Sequence, residues 1–253
     1  MITVKTISDY IDKIAPYHTK SEWDNCGVLV GDNEKKVNKV AFCLDLTTET
    51  LSQAKEVGAD LIITHHPIIF KAQKNFLKGN PAYELALSGI SAISAHTCFD
   101  CAAGGVNDVL CEILEIKNPV GVPSSECQIP MVRMGDIEAV SSLEFAKKVS
   151  EKLHTVCRVV DCGNTIKKVA VCGGAGMSFL NDVINSGADA YVTGDISHHE
   201  MLEAKERGIT VIAAGHFETE VPSMGRLMGM IKKEFPELYC IVLKQSNPVN
   251  FVG

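Results

Sequence analysis

The chain has 253 residues, 46% apolar and 22% charged, with a formal net charge of −7. That length allows one large domain or two small ones with a buried core. The acidic balance argues against an extended nucleic-acid surface, which needs a basic face. No apolar run approaches the roughly 20 residues that span a bilayer. "MITVKTISDYIDKIAP" lacks the charged, apolar and small-residue order of a signal peptide, so the expected location is cytoplasmic.

The ten cysteines are scattered and form no paired CxxC signature. They read as reduced, mostly buried small hydrophobes. Cys98 and Cys101 in "CFDC" are the only close pair, and they lack the second pair that a structural metal site needs.

In chain order, "EWDNCGVLVGD" (Glu22 to Asp32) comes first, with the only tryptophan. It reads either as a loop closing over a site or as a capped strand entry. "KVAFCLD" (Lys39 to Asp45) reads as a strand. "TTETLSQAKEVG" (Thr47 to Gly58) reads as a helix with a threonine start and a glycine stop. "ADLIIT" is a second strand, "PAYELALSG" a helix opened by Pro81 and closed by Gly89, and "ISAISA" a third strand. This βαβαβ order predicts a mostly parallel sheet.

Gly104-Gly105 precede an expected helix from Val106 to Leu114. The stretch from about 118 to 168 differs, with strands expected around the helix Ser142 to Leu153. The most loop-like segment is "GVPSSECQIP" (Gly121 to Pro130), and a domain change is expected there.

The second half then repeats the first. At an offset of 129, Val40 to Thr64 faces Val169 to Thr193 without a gap, with eight of 25 positions identical, including Gly-Ala-Asp and the closing Thr. The expected fold class is therefore α/β, with two similar lobes: residues 1–125 and 126–253. The N-terminal residues are an open question, since they fit packing on the second lobe as well.

Ligand-type side chains collect after the matched strands. His65 and His66 follow the second strand, and His96 and Asp100 the third. In the second half Asp195, His198 and His199 lie in "TGDISHHE", and His216 and Glu220 in "GHFETE". Open α/β sheets bind ligands at the carboxyl ends of their strands. Neighbours leaving a strand point in roughly opposite directions, which suits two ions better than one. His216 and Glu220, four apart, share a helix face. Two-metal hydrolytic sites hold ions about 3.5–4 Å apart, and three imidazoles with two carboxylates suit such a pair. Nitrogen and oxygen donors fit Zn, Fe, Mn, Co or Ni without ranking them. "TGDISHHE" has a second reading, a helix whose first turn gains from Asp195 as an anion. "CGGAG" (Cys172 to Gly176) lacks the GxGxxG order and the P-loop lysine, and the chain has no GxSxG.

Taken together, "SEWDNCGVLVGD", "DLIITHHPIIF", "SAHTCFDCAAGGVND", "TGDISHHE" and "GHFETE" resemble the Nif-three-like (NGG-interacting-factor-three) family. Many of its members carry the label GTP cyclohydrolase 1 type 2 homologue. The resemblance runs in order through nearly the whole chain. It implies two α/β lobes, a dinuclear metal centre in the cleft between them, and a ring-shaped homohexamer. The metal ligands it implies are His65, His66, Asp100, His216 and Glu220, holding two divalent ions per chain. Relatives often have asparagine and leucine where this chain has Cys98 and Phe99. The label implies hydrolytic opening of a guanine ring, with His96 and His198 as proton carriers. The alternative function is a non-catalytic metal-binding scaffold or regulatory protein.

Overall fold

The computed structural model describes residues 1–124 and 129–250. Cys127 and the Ser125–Gln128 part of the expected loop lie outside the described residues. The strands in chain order are β1 (Gly27–Val30), β2 (Lys39–Cys43), β3 (Leu61–Thr64), β4 (Ser91–Ser94), β5 (Lys117–Gly121), β6 (Arg133–Ser141), β7 (Arg158–Val160), β8 (Thr165–Cys172), β9 (Ala190–Thr193), β10 (Thr210–Ala213) and β11 (Tyr239–Val242). The helices are α1 (Val4–Ile14), α2 (Thr48–Glu56), α3 (Pro81–Ser88), α4 (Thr97–Cys101), α5 (Val106–Ile113), α6 (Ser142–Leu153), α7 (Leu180–Asn185), α8 (His198–Glu206), α9 (His216–Glu220) and α10 (Pro222–Glu234).

Two compact α/β units result. The first comprises Met1–Ala103 and Met224–Ser246, the second Gly104–Ser223 and Asn247–Gly253. The first holds a five-stranded sheet in the order β1-β4-β3-β2-β11. Its β11, β2, β3 and β4 are parallel, and β1 closes the edge antiparallel. The second holds a six-stranded sheet in the order β5-β6-β8-β9-β10-β7, parallel only through β8, β9 and β10.

The division differs from the expected change near Gly121–Pro130. Leu110, Cys111, Leu114 and Ile116 bury into the core of the second unit with Phe145, Val149 and Val171, so the chain changes unit before α5. The C-terminal segment returns to the first unit because β11 pairs in parallel with β2 and Leu243 joins that unit's core. The N-terminal residues also belong to the first unit, with Val4, Ile7 and Ile11 fully buried on α1.

The internal repeat is visible atom by atom. Asp60 Oδ2 accepts from the backbone N–H of Asn38 and Lys39 at 2.8 and 3.0 Å. Asp189 Oδ2 accepts from Lys167 and Lys168, both at 2.8 Å. Each aspartate thus ties a helix-to-strand turn to the neighbouring strand. The glycines two residues earlier, Gly58 and Gly187, take φ of 65° and 78°, a left-handed conformation that disfavours a side chain. Thr64 pairs with Cys43, and Thr193 pairs with Cys172, at the same register in both sheets.

Local chemistry explains the helices. Thr47 caps α2 in a reciprocal capping box with Thr50. Asn80 caps α3, Pro81 opens it, and Gly89 closes it at φ 70°. Among the described residues no helix is long and apolar enough to cross a membrane, and no described cysteine is disulfide-bonded.

Candidate metal centre

In the first unit, β3 ends at the buried Thr64, whose Oγ1 donates to His66 O at 2.8 Å. The chain bends there, so His65 and His66 leave together. Their ring centroids are 5.1 Å apart, and the His96 ring lies 5.0 and 5.4 Å from them. Candidate ligand atoms of all three lie within 4.8 Å of one another. The expectation that His65 and His66 point in opposite directions therefore fails, because it assumes extended backbone that ends one residue earlier. Asp100, on α4, places Oδ1 3.4 Å from His65 Nε2.

Each imidazole is held through Nδ1. His65 Nδ1 faces Ala95 O at 3.0 Å, His66 Nδ1 faces Asp45 Oδ1 at 2.6 Å, and His96 Nδ1 faces Asp24 Oδ1 at 2.9 Å. A carbonyl oxygen or an ionised carboxylate only accepts, so Nδ1 carries the proton in each ring. That tautomer presents the Nε2 lone pair as the ligand atom, the usual outer-shell arrangement of metal-binding histidines.

Asp24 is the most heavily bonded of these partners. Its side chain is fully buried. It also accepts from Thr97 N at 3.1 Å, Thr97 Oγ1 at 2.5 Å and Cys26 Sγ at 3.2 Å. Burial alone pushes its carboxyl up, but the bonds from His96, Thr97 and Cys26 outweigh that and hold it below the usual carboxylate range.

In the second unit, α9 puts His216 and Glu220 on one face, with His216 Nε2 3.2 Å from Glu220 Oε2. Asp195 Oδ2 lies 2.7 Å from His216 Nδ1 and repeats the same orienting device. "CGGAG" serves this pair. Gly174, at φ 63°, brings the backbone against it, and a Cβ there would strike Glu220 Oε1 and lie 3.2 Å from His216 Nε2. Asp195 also borders a cavity of about 480 Å³ lined by Arg158, Met177, Ser178 and Ser197. His198 and His199 lie on the first turn of α8 and are exposed, with their rings 5.9 Å apart. Ser197 caps that helix with Glu200.

Each unit by itself gathers nitrogen and carboxylate donors of the kind divalent transition metals take: His65, His66, His96 and Asp100 in the first, His216 and Glu220 in the second. All six residues stand out in the sequence, five of them as expected metal ligands and His96 as an expected proton carrier. Sequence reasoning misses Asp24, Asp45 and Asp195 as the carboxylates that aim them. A carboxylate in an otherwise polar motif beside a glycine turn is the signal that "EWDNCG" carries.

The sequence profile of the Duf34/NIF3 (NGG1p interacting factor 3) family matches residues 2–248. A Clostridium perfringens protein named GTP cyclohydrolase 1 type 2 homolog is 32% identical over 257 residues, covering 97% of this chain and 98% of that protein. A Campylobacter jejuni protein of the same name is also 32% identical, covering 97% and 98%. Among solved structures, reduced HcgD from Methanocaldococcus jannaschii superposes with a TM-score of 0.83 at 29% identity, covering 96% of this chain and 98% of that one. A Bacillus cereus protein related to NIF3 superposes at 0.90 with 22% identity and 99% coverage of each chain, a likeness of fold. The motifs, both sheets and the profile match over nearly the whole chain place this protein in the Duf34/NIF3 family.

Proposed function

We propose that this protein is a metal-dependent hydrolase of a small, nucleotide-like substrate. His65, His66 and Asp100 in the first unit and His216 and Glu220 in the second are its metal ligands, for two divalent ions per chain. The observation that carries this reading is the common tautomer. Four histidines from two sequence repeats are each held through Nδ1 by a carboxylate or a carbonyl. A purely structural histidine has no need of that uniformity. The relatives' name, GTP cyclohydrolase 1 type 2 homolog, supports a guanine nucleotide as the first substrate to try.

A bound divalent ion would supply Lewis-acid activation of water. The chain's own residues do the rest. Asp24, Asp45, Asp195 and the Ala95 carbonyl keep the Nδ1 protons in place and so fix ring orientation. His96 Nε2 is the position for taking up and returning a proton, with His198 as a second carrier. We further propose a homohexamer, the assembly that the family resemblance implies, and the native mass tests it.

The test is a hydrolysis screen of the full chain loaded in turn with Zn²⁺, Mn²⁺, Fe²⁺, Co²⁺ and Ni²⁺, with guanine nucleotides included. Turnover that Asp100→Asn abolishes is expected. No turnover with any metal and substrate, alongside stable metal binding, would replace the hydrolase by a metal-holding scaffold.

A further inference from the structure

The segment Ser21–Cys26 has a use beyond orienting His96. Its backbone is pinned from several sides. Ser21 N donates to Thr97 Oγ1 at 2.9 Å, Asp24 N to Ser21 O at 3.0 Å, and Asn25 Nδ2 to Ile69 O at 2.7 Å. Held in this frame, Trp23 keeps 61% of its surface exposed, and Phe70 keeps 45%. The two rings touch, with centroids 5.6 Å apart and planes at 56°. Trp23 also sits 5.9 Å from the His96 ring and Phe70 6.4 Å from it.

An exposed aromatic is unremarkable alone. Here the chain's only tryptophan is fixed by hydrogen bonds to the loop that follows the histidine pair and to the helix that carries Asp100. An indole offers 150–250 Å² of apolar surface, and leaving most of it in water is unfavourable unless a ligand covers it. A flat ring laid on this indole is one imidazole away from the His65–His66–His96 cluster. It therefore reaches the donors without touching them. Aromatic stacking tolerates any base, because every base has a π face.

We propose that Trp23, braced by Phe70, is the stacking platform that positions the planar purine ring of the substrate beside the histidine cluster. This rests on the nucleotide-like substrate proposed above and adds its binding contact. Trp23 is a positioning residue.

Because Trp23 is the only tryptophan, its emission reports this one position. The experiment titrates guanosine into the Zn²⁺-loaded full chain and follows indole emission, with ribose as the non-aromatic control. Calorimetry on Trp23→Leu and Trp23→Phe measures affinity, and elemental analysis checks their zinc. Saturable quenching by guanosine and not by ribose is expected. Trp23→Leu should weaken guanosine binding about tenfold or more at unchanged zinc content, and Trp23→Phe should recover part of it. Unchanged emission at millimolar guanosine overturns the proposal. So does equal quenching by ribose, or wild-type affinity in Trp23→Leu. Emission per chain that changes with protein concentration and not with guanosine assigns the platform to a second copy of the chain and overturns it as well. Saturable quenching by guanosine beside no turnover with any metal would keep the platform and remove the hydrolase. Metal-dependent turnover with intact guanosine affinity in Trp23→Leu would remove the platform alone.

Discussion

At the residue scale the organising feature is the Nδ1 partner. His96 and its orienting carboxylate Asp24 lie 72 positions apart, and His66 and Asp45 lie 21 apart. No local period links such pairs. A donor announces itself by residue type at a strand end, whereas the group that aims it is visible only once the fold closes. That is why His65, His66, Asp100, His216 and Glu220 were legible in the sequence, Asp195 only as one more ligand-type residue, and the orienting roles of Asp24, Asp45 and Asp195 not at all. Removing an outer-shell partner typically costs 10–100-fold in metal affinity. Asp45→Asn and Asp195→Asn should each weaken metal binding by about that factor while leaving the circular dichroism spectrum intact. Competition with a chelator of known affinity would measure it. Wild-type affinity in both variants would mean that these carboxylates do not tune the ligands.

At the element scale the repeat is a shared way of starting and ending strands. Gly-Ala-Asp survives in both halves because its three residues have separate jobs. The glycine adopts the left-handed turn, the alanine packs, and the aspartate bonds two backbone N–H groups. Each of these surface bonds contributes about 0.5–1.5 kcal/mol, and each aspartate makes two. Asp60→Ala and Asp189→Ala should therefore each destabilise the protein by about 1–3 kcal/mol, as read by denaturant unfolding. A loss for one with none for the other would break the equivalence. β11 also lies in an apolar run, Leu238 to Leu243, but nothing in that run names β2 as its partner. Its pairing with β2 joins residues 200 positions apart, so the return of the C-terminal segment to the first unit had no local signal.

For the whole molecule, burial sets an alkaline limit. It pushes the Cys43 and Cys111 thiols up to about 12 from an ordinary 9.0. The folded chain keeps these protons while the unfolded chain releases them. The stability they contribute is complete below pH 9 and is lost as pH rises from about 9 towards 12. Cys43→Ala/Cys111→Ala should show a shallower alkaline decline in denaturant stability than the wild type. Parallel curves would place the thiols in water.

The claim on which the function rests is that these donors hold metal. It is tested most directly by elemental analysis of the purified full chain and of His65→Ala/Glu220→Ala. The wild-type chain should carry about two divalent ions, and the double variant should lose them. Equal metal content in the two proteins would contradict it.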